Sequence, residues 1–301
     1  MVLANILNRF KKPPHSQWKY QKQTNPPSFG YARFVSSTYL EREIAKRKTW
    51  CLDQIQNASK LCHLSEGKIS LVVLSCQRWP TLKRFIESMQ PFFKSIELYK
   101  NIEKILVDNG SGEELLNKVK NTHFFDHIIA FPTNLGLIGA LKKAYPLVDG
   151  EYILLLEDDF VLDFNAPFIE KCLDVFSEFP EIGIIRLKNQ NNWWKPHRVI
   201  GPLRKTRGGN EFWTWFPSQG GELNVWCSGS VMFRKVSYYS VGELPHIHGN
   251  PSRSKKNHQG YIYECVYGKK YNQYWLAAKL KDVYPFFQPN DNEECSGWNA
   301  K

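Results

Sequence analysis

From residue 69 onward the chain alternates between short segments rich in aliphatic residues and longer stretches in which apolar positions return every three or four residues. Ile69 to Leu74, Ile102 to Val107, Tyr152 to Leu156 and Ile182 to Leu187 read as strands, the first as a β-branched and aliphatic run interrupted only by Ser70, the pattern of a strand buried on both faces of a parallel sheet. His127 to Phe131 is a shorter run of the same kind. Helical spacing marks Tyr39 to Cys62, Pro80 to Met89, Glu113 to Lys120, Leu137 to Tyr145 and Pro167 to Phe179, and Pro80 stands in a first turn, where proline is tolerated. Strands alternating with helices predict an α/β fold: a doubly wound, mostly parallel sheet flanked by helices, with ligands beyond the carboxyl ends of the strands. Before this series, Pro13, Pro14, Pro26 and Pro27 give residues 13 to 30 the composition of an extended arm. From 189 to 221 periodicity fades among glycines and tryptophans. The expected division is an N-terminal arm and accessory helix (1–66), a regular half (67–190) and a less regular half (191–301) of one domain.

Forty Lys plus Arg against 29 Asp plus Glu leave a net charge of +11 on 301 residues, which favours an anionic partner. No apolar run approaches the roughly 18 residues that would span a bilayer. The first residues show no signal-peptide pattern, so a cytoplasmic protein is expected. Leu3, Ile6, Leu7 and Phe10 repeat at helical spacing among Arg9, Lys11 and Lys12, which suits packing on the fold or peripheral contact of residues 1–12 with an anionic membrane. Seven widely spaced cysteines without a CxxC pair indicate reduced thiols, neither a disulfide framework nor a zinc site.

Polar clusters fall at strand ends. Tyr152 to Leu156 runs into Glu157-Asp158-Asp159, three adjacent carboxylates. Crowded like charges call for a cation, and Mg²⁺ or Mn²⁺ takes oxygen ligands with substrate phosphate completing its shell; an acidic turn capping the next helix is the alternative. Val107-Asp108-Asn109-Gly110-Ser111-Gly112 brings an Asp and glycines to a second strand end, where Asp can accept from a ribose hydroxyl or a base, although the same residues make ordinary turns. Asn134-Leu135-Gly136-Leu137-Ile138-Gly139-Ala140 opens a helix with small residues, where free amides favour phosphate. Its spacing is not that of a P-loop, and close helix-to-sheet packing accounts for it equally well.

Taken in order, Val72-Val73-Leu74-Ser75-Cys76-Gln77-Arg78, Leu106 to Ser111, Asn134 to Ala140 and Leu155 to Asp159 resemble the nucleotide-sugar half of GT-A glycosyltransferases, family 2 above all, over about residues 68 to 190. The resemblance implies a GT-A fold in which Cys76, Gln77, Arg78 and Asp108 contact the nucleoside and Asn134, Gly136 and Gly139 line the donor site. It further implies that Glu157 and Asp158 hold the donor diphosphate and that Asp159 holds Mn²⁺ or Mg²⁺. The triplet is Glu-Asp-Asp rather than plain Asp-x-Asp. In the second half, Trp226 to Lys235 resembles the family segment in which a small-residue turn precedes a strand ending in basic residues beside the bound sugar. Glu264 corresponds to the acidic base at the start of a following helix, with Glu222 as its competitor.

The implied reaction moves a sugar, hexosyl or N-acetylhexosaminyl, from a nucleotide sugar, a UDP-sugar foremost, to a carbohydrate or other hydroxyl acceptor, with inversion, in glycan biosynthesis. Trp193, Trp194, Trp213 and Trp215 could stack on acceptor rings or form a satellite core. His246, His248 and His258 read as surface residues rather than a zinc site, and Arg253, Lys255 and Lys256 as a solvated face or a lid. A sugar nucleotidyltransferase is a second reading, but Cys76-Gln77-Arg78-Trp79-Pro80 supplies no Gly-rich basic phosphate loop. A third is a catalytically silent carbohydrate-binding protein. Nucleic acid is not expected, because the carboxylates would repel its backbone.

Overall fold

A computed structural model describes residues 33–95, 100–162, 167–187, 199–216, 226, 229–245, 259–283 and 285–287. Its strands are β1 (Arg33–Phe34), β2 (Ser65–Ser75), β3 (Ile102–Asn109), β4 (His127–Phe131), β5 (Gly150–Glu157), β6 (Val161–Leu162), β7 (Ile182–Arg186), β8 (Val199–Lys205), β9 (Glu211–Phe216), β10 (Val231–Arg234), β11 (Leu276–Leu280) and β12 (Phe286–Phe287). The helices are α1 (Ser37–Gln56), α2 (Ala58–Leu61), α3 (Trp79–Ser95), α4 (Glu113–Lys120), α5 (Gly136–Ala144), α6 (Phe168–Glu178), α7 (Lys235–Val241) and α8 (Gln259–Tyr274).

Ten strands form one sheet in the order β1-β8-β9-β11-β7-β10-β5-β2-β3-β4, and β12 pairs with β6 apart from it. The run β5-β2-β3-β4 is parallel throughout, as the apolar runs require. β10 enters antiparallel between β5 and β7, and β9 pairs antiparallel with both β8 and β11, so the sheet is mixed.

Side-chain alternation explains the unbroken apolar runs. In β2, Leu71 and Val73 pack into one core with α3, α4 and α6, through residues such as Phe85, Leu115 and Phe176. Val72 and Leu74 point into the other with α5, α7 and α8, through Leu141, Tyr238 and Tyr271. β5 divides likewise, Leu154 and Leu156 against Ile153 and Leu155. A strand covered on both faces has no polar phase. α4 also carries its own local signals: Glu113 and Glu114 in the first turn and Lys118 and Lys120 in the last complement the helix dipole.

The expected elements form, α4 and β4 with the predicted limits. β8 and β9 arise where no period was legible, because Glu-Phe-Trp-Thr-Trp-Phe in β9 is bulky at every position but the first and fourth. Of the two readings of the tryptophans there, core packing holds for Trp213 and Trp215: they are 8% and 5% exposed, and the Arg186 guanidinium lies over the Trp215 ring at 5.4 Å. Trp193 and Trp194 lie outside the described residues. The accessory helix is present as α1, packed on β8, α7 and α8, and residues 33–34 add an edge strand parallel to β8. Among the described residues no helix is long and apolar enough to cross a membrane; residues 1–12 are outside them. Cys51, Cys62, Cys76 and Cys172 are free thiols.

Candidate active site

The parallel register brings three strand ends to one rim: Ser75 of β2 is level with Asp108 of β3, and Leu74 with Glu157 of β5. After β5 the backbone turns at once, with the Asp158 amide donating to the Leu74 carbonyl at 3.1 Å and the Phe160 amide to the Glu157 carbonyl at 3.3 Å. This turn carries Asp158 and Asp159 inward, where they are 0% and 4% exposed, while Glu157 is half-buried.

Arg78 faces the acidic pair. Its Nη2 donates to Asp158 Oδ1, and its Nη1 lies 3.7 Å from Asp159 Oδ2. The Ser75 hydroxyl donates to the other Asp158 oxygen at 2.7 Å. Burial still pushes the Asp158 carboxyl up to about 6, against the opposing pull of Arg78 and Ser75 and with the like charge of Asp159 adding to it. Burial also works against the Arg78 charge, but the carboxylates of Asp158, Asp159 and Glu157 outweigh it and raise the pKa of Arg78.

Two carboxylate oxygens in this rim are buried and unpartnered, Asp108 Oδ1 and Asp159 Oδ1. Asp108 uses Oδ2 to accept from the Ser111 amide at 3.0 Å. An orphaned buried carboxylate oxygen carries a desolvation penalty that a hydrogen-bond donor or a cation would relieve. The donor set is all oxygen, the chemistry of Mg²⁺ or Mn²⁺. Among the described residues no three His, Cys, Asp or Glu side chains form a metal cage. That accords with ions that use one or two carboxylates and take their remaining ligands from phosphate and water.

The loops after β2, β3 and β4 are tied together. The Gln77 amide donates to Ser111 Oγ at 2.7 Å, with Gln77 itself at φ +57°, and its Nε2 reaches the Gly110 carbonyl at 3.3 Å. Cys76 Sγ donates to the Asn109 carbonyl at 3.2 Å; burial raises this thiol, helped by the charges of Asp108 and Asp158, so it serves as a neutral donor. Asn134 is exposed, and its Oδ1 accepts from the Gly136 amide at 2.8 Å. Gly136 needs its glycine, with φ +70°, whereas Gly139 packs its α-carbon against the Leu135 side chain. Sequence reasoning thus named Cys76, Gln77, Arg78, Asp108, Asn134, Gly136 and the triplet, and the fold brings them to one rim. It missed Ser75, Asn109 and Ser111 as their partners, although all three stood inside motifs already marked.

On the β10 side, a Cβ at Gly229 would lie 3.1 Å from Glu157 Oε1 and 3.2 Å from the Phe160 ring, so the small-residue turn adjoins the acidic triplet. The basic end of β10 does not, which corrects that part of the expectation. β10 runs antiparallel to β5, pairing Val231 with Leu155 but Arg234 with Tyr152, so Arg234 and Lys235 lie at the opposite end of the sheet. There Arg234 donates to the carbonyls of Phe176 and Ile182, and Lys235 to those of His63 and Val148. Both are buried structural cations. Glu222 and the histidines 246, 248 and 258 lie outside the described residues, as do Arg253, Lys255 and Lys256. Glu264 falls in the second turn of α8 rather than at its start. Farther along α8, Tyr267 packs on Trp226 and donates to the Tyr238 carbonyl of α7, and Tyr271 meets Gly183 near the start of β7.

The family model described as Glycosyl transferase family 2 matches residues 70–237, more than half of the chain and the whole of the rim from β2 to β10. The chain belongs to glycosyl transferase family 2. Among solved structures, this family 2 member is similar in fold to S. aureus TarS, with a TM-score of 0.50 at 13% identity over 75% of this chain and 37% of that one. The TarS 1–349 fragment in complex with UDP-GlcNAc matches at TM-score 0.49 and 15% identity, over 73% of this chain and 58% of that one. The mannosyltransferase PcManGT from Pyrobaculum calidifontis, in complex with GDP-Man and Mn²⁺, matches at 0.39 and 12%, over 69% and 57%. The chain thus spans less than two thirds of these structures' own chains. No curated protein sequence matches it.

Proposed function

We propose that this family 2 member transfers a sugar from a nucleotide sugar, a UDP-sugar foremost, to a hydroxyl acceptor with inversion at the anomeric carbon. The observation that carries the reading is the pair of orphaned, buried carboxylate oxygens, Asp108 Oδ1 and Asp159 Oδ1, at the carboxyl ends of β3 and β5, the two strands that flank β2. Two such groups are costly in a fold that does not use them.

Asp108 takes a hydrogen bond from the nucleoside. Asp159, with Asp158 beside it, holds Mn²⁺ or Mg²⁺, which when bound supplies positive charge to the departing diphosphate. The Arg78 guanidinium already balances the acidic pair and offers donors to diphosphate oxygens from the same rim. Glu264 accepts the proton of the acceptor hydroxyl as that oxygen bonds to the anomeric carbon. The bond from that carbon to the diphosphate breaks, and its electron pair leaves with the nucleotide. One direct displacement with a carboxylate base inverts configuration.

Calorimetric titration of UDP and GDP, each with and without Mn²⁺, into the wild type and Asp159→Ala tests the reading. Metal-dependent binding of UDP, lost in the variant, is the expected result. Binding of neither nucleotide under any condition would return the triplet to a structural turn and overturn the proposal.

A further inference from the structure

The rim contains one buried side chain that touches neither the acidic triplet nor the surface and yet joins two loops. Asn109, the last residue of β3, is 4% exposed. Its Oδ1 accepts from the Leu135 amide at 2.8 Å, and its Nδ2 donates to Asn134 Oδ1 at 2.9 Å. Leu135 is the N-cap position of α5 and has no side-chain cap of its own. Asn109 therefore does from another strand what the N3 side chain of a capping box does locally: it accepts from the backbone amide of the N-cap residue. Its hydrogen bond to Asn134 also sets which way that amide faces: with the oxygen turned to accept from Asn109 and from the Gly136 amide, Asn134 Nδ2 is left toward Cys76 Sγ, 3.4 Å away.

Backbone contact reinforces the link. A Cβ on Gly110 would lie 2.6 Å from the Asn134 nitrogen and from the Thr133 carbonyl carbon, so the loops after β3 and β4 are pressed together beside the carboxamide. Asp108, next to Asn109 in sequence, has its orphaned oxygen at the rim. The first-turn amides of α5 beyond Gly136 have no acceptor within the helix.

We propose that Asn109 is a positioning residue for donor binding: its carboxamide holds the N-terminus of α5 in fixed register with Asp108, so that one nucleotide meets both. The role rests on the donor-site reading above. Asn109 itself touches no substrate, so its loss acts through the placement of Asp108 and α5 and weakens ground-state binding more than turnover.

The test compares Asn109→Ala, Asn109→Asp and Asn134→Ala with the wild type in three measurements: affinity for UDP with Mn²⁺, KM against kcat for donor hydrolysis, and hydrogen exchange of the segment from 132 to 141 without ligand. Asn109→Ala is expected to raise Kd and KM about tenfold, the worth of one to two net hydrogen bonds, with kcat within about twofold and faster exchange in 132 to 141. Asn109→Asp keeps the acceptor for Leu135 and loses the donor to Asn134, so its affinity should fall between the two. Exposed Asn134 tolerates truncation, so Asn134→Ala gives the same sign of effect even if Asn109→Ala fails to fold. Wild-type binding with unchanged affinity in Asn134→Ala and in a folded Asn109 variant overturns the positioning role alone. Absence of nucleotide binding by the wild type overturns the donor reading and this role with it.

Discussion

Removing the Arg78 charge tests how the acidic pair is balanced. In Arg78→Met the stem keeps its bulk, while Asp158 loses its cation and keeps the Ser75 hydroxyl as a partner. Burial has already pushed Asp158 from its ordinary 3.8 up to about 6, which at neutral pH costs the folded state about 3 kcal/mol relative to a solvated aspartate. The most this carboxyl can cost at pH 7 is the work of folding with it fully protonated, about 4 kcal/mol on the same scale. The difference limits the electrostatic loss in the variant to about 1 kcal/mol, well short of the ~3–5 kcal/mol for a buried ion that cannot neutralise itself.

The pH dependence follows from the sign of the shift. A raised carboxyl binds its proton more tightly in the folded state, so its contribution is most favourable below 3.8 and fades as pH rises toward about 6, beyond which the wild type is level. In the variant the fading continues to a still higher value. The two stability curves should therefore coincide near about pH 5 and separate above about pH 6, by at most ~1.4 kcal/mol per pH unit. Urea unfolding midpoints in EDTA at about pH 5, 7 and 8 measure this directly. An equal deficit at the lowest and highest pH would refute the reasoning, because Asp158 would then not be the group whose ionisation Arg78 supports.

Two further expectations separate site from scaffold. Lys235→Met leaves the carbonyls of His63 and Val148 without their donor; it should cost about 2 kcal/mol in urea unfolding and leave UDP affinity unchanged, and weakened affinity without instability would return the basic end of β10 to the site. Gly229→Ala puts a methyl 3.1 Å from Glu157 Oε1 and 3.2 Å from Phe160; with Phe160 buried, the carboxylate must yield, so donor turnover should fall by about tenfold or more while stability changes by under about 1 kcal/mol, and unchanged turnover would place Glu157 outside the chemistry.

Much of the regular half was legible because its physics is local to each segment. A strand covered on both faces is apolar through the stretch that is covered, so Leu71 to Leu74 in β2 and Ile153 to Leu156 in β5 announce themselves, β3 and β7 show shorter stretches beside Glu103-Lys104 and Arg186, and the polar residues that follow each lie at its carboxyl end. Asp108 and the triplet were found in this way. The second half resisted because its signals are shared. β9 is bulky on both faces and reads as neither strand nor helix, while Arg234 ends β10 and Lys235 opens α7 in a segment whose direction in the sheet no pattern discloses.

That direction decided the outcome for Arg234 and Lys235. Sequence by itself determined the alternation of strands and helices, the family, and the acidic and glycine-rich turns as places where chemistry could occur. The tertiary structure decided which of those groups meet. Only packing shows that Arg78 faces Asp158, that Trp213 and Trp215 belong to the core, that β10 runs antiparallel and carries its cations to the far end, and that Asn109 reaches across to α5. Contacts between residues distant in the chain depend on register and strand order, and these are fixed by burying the two cores together rather than by any one segment's preference.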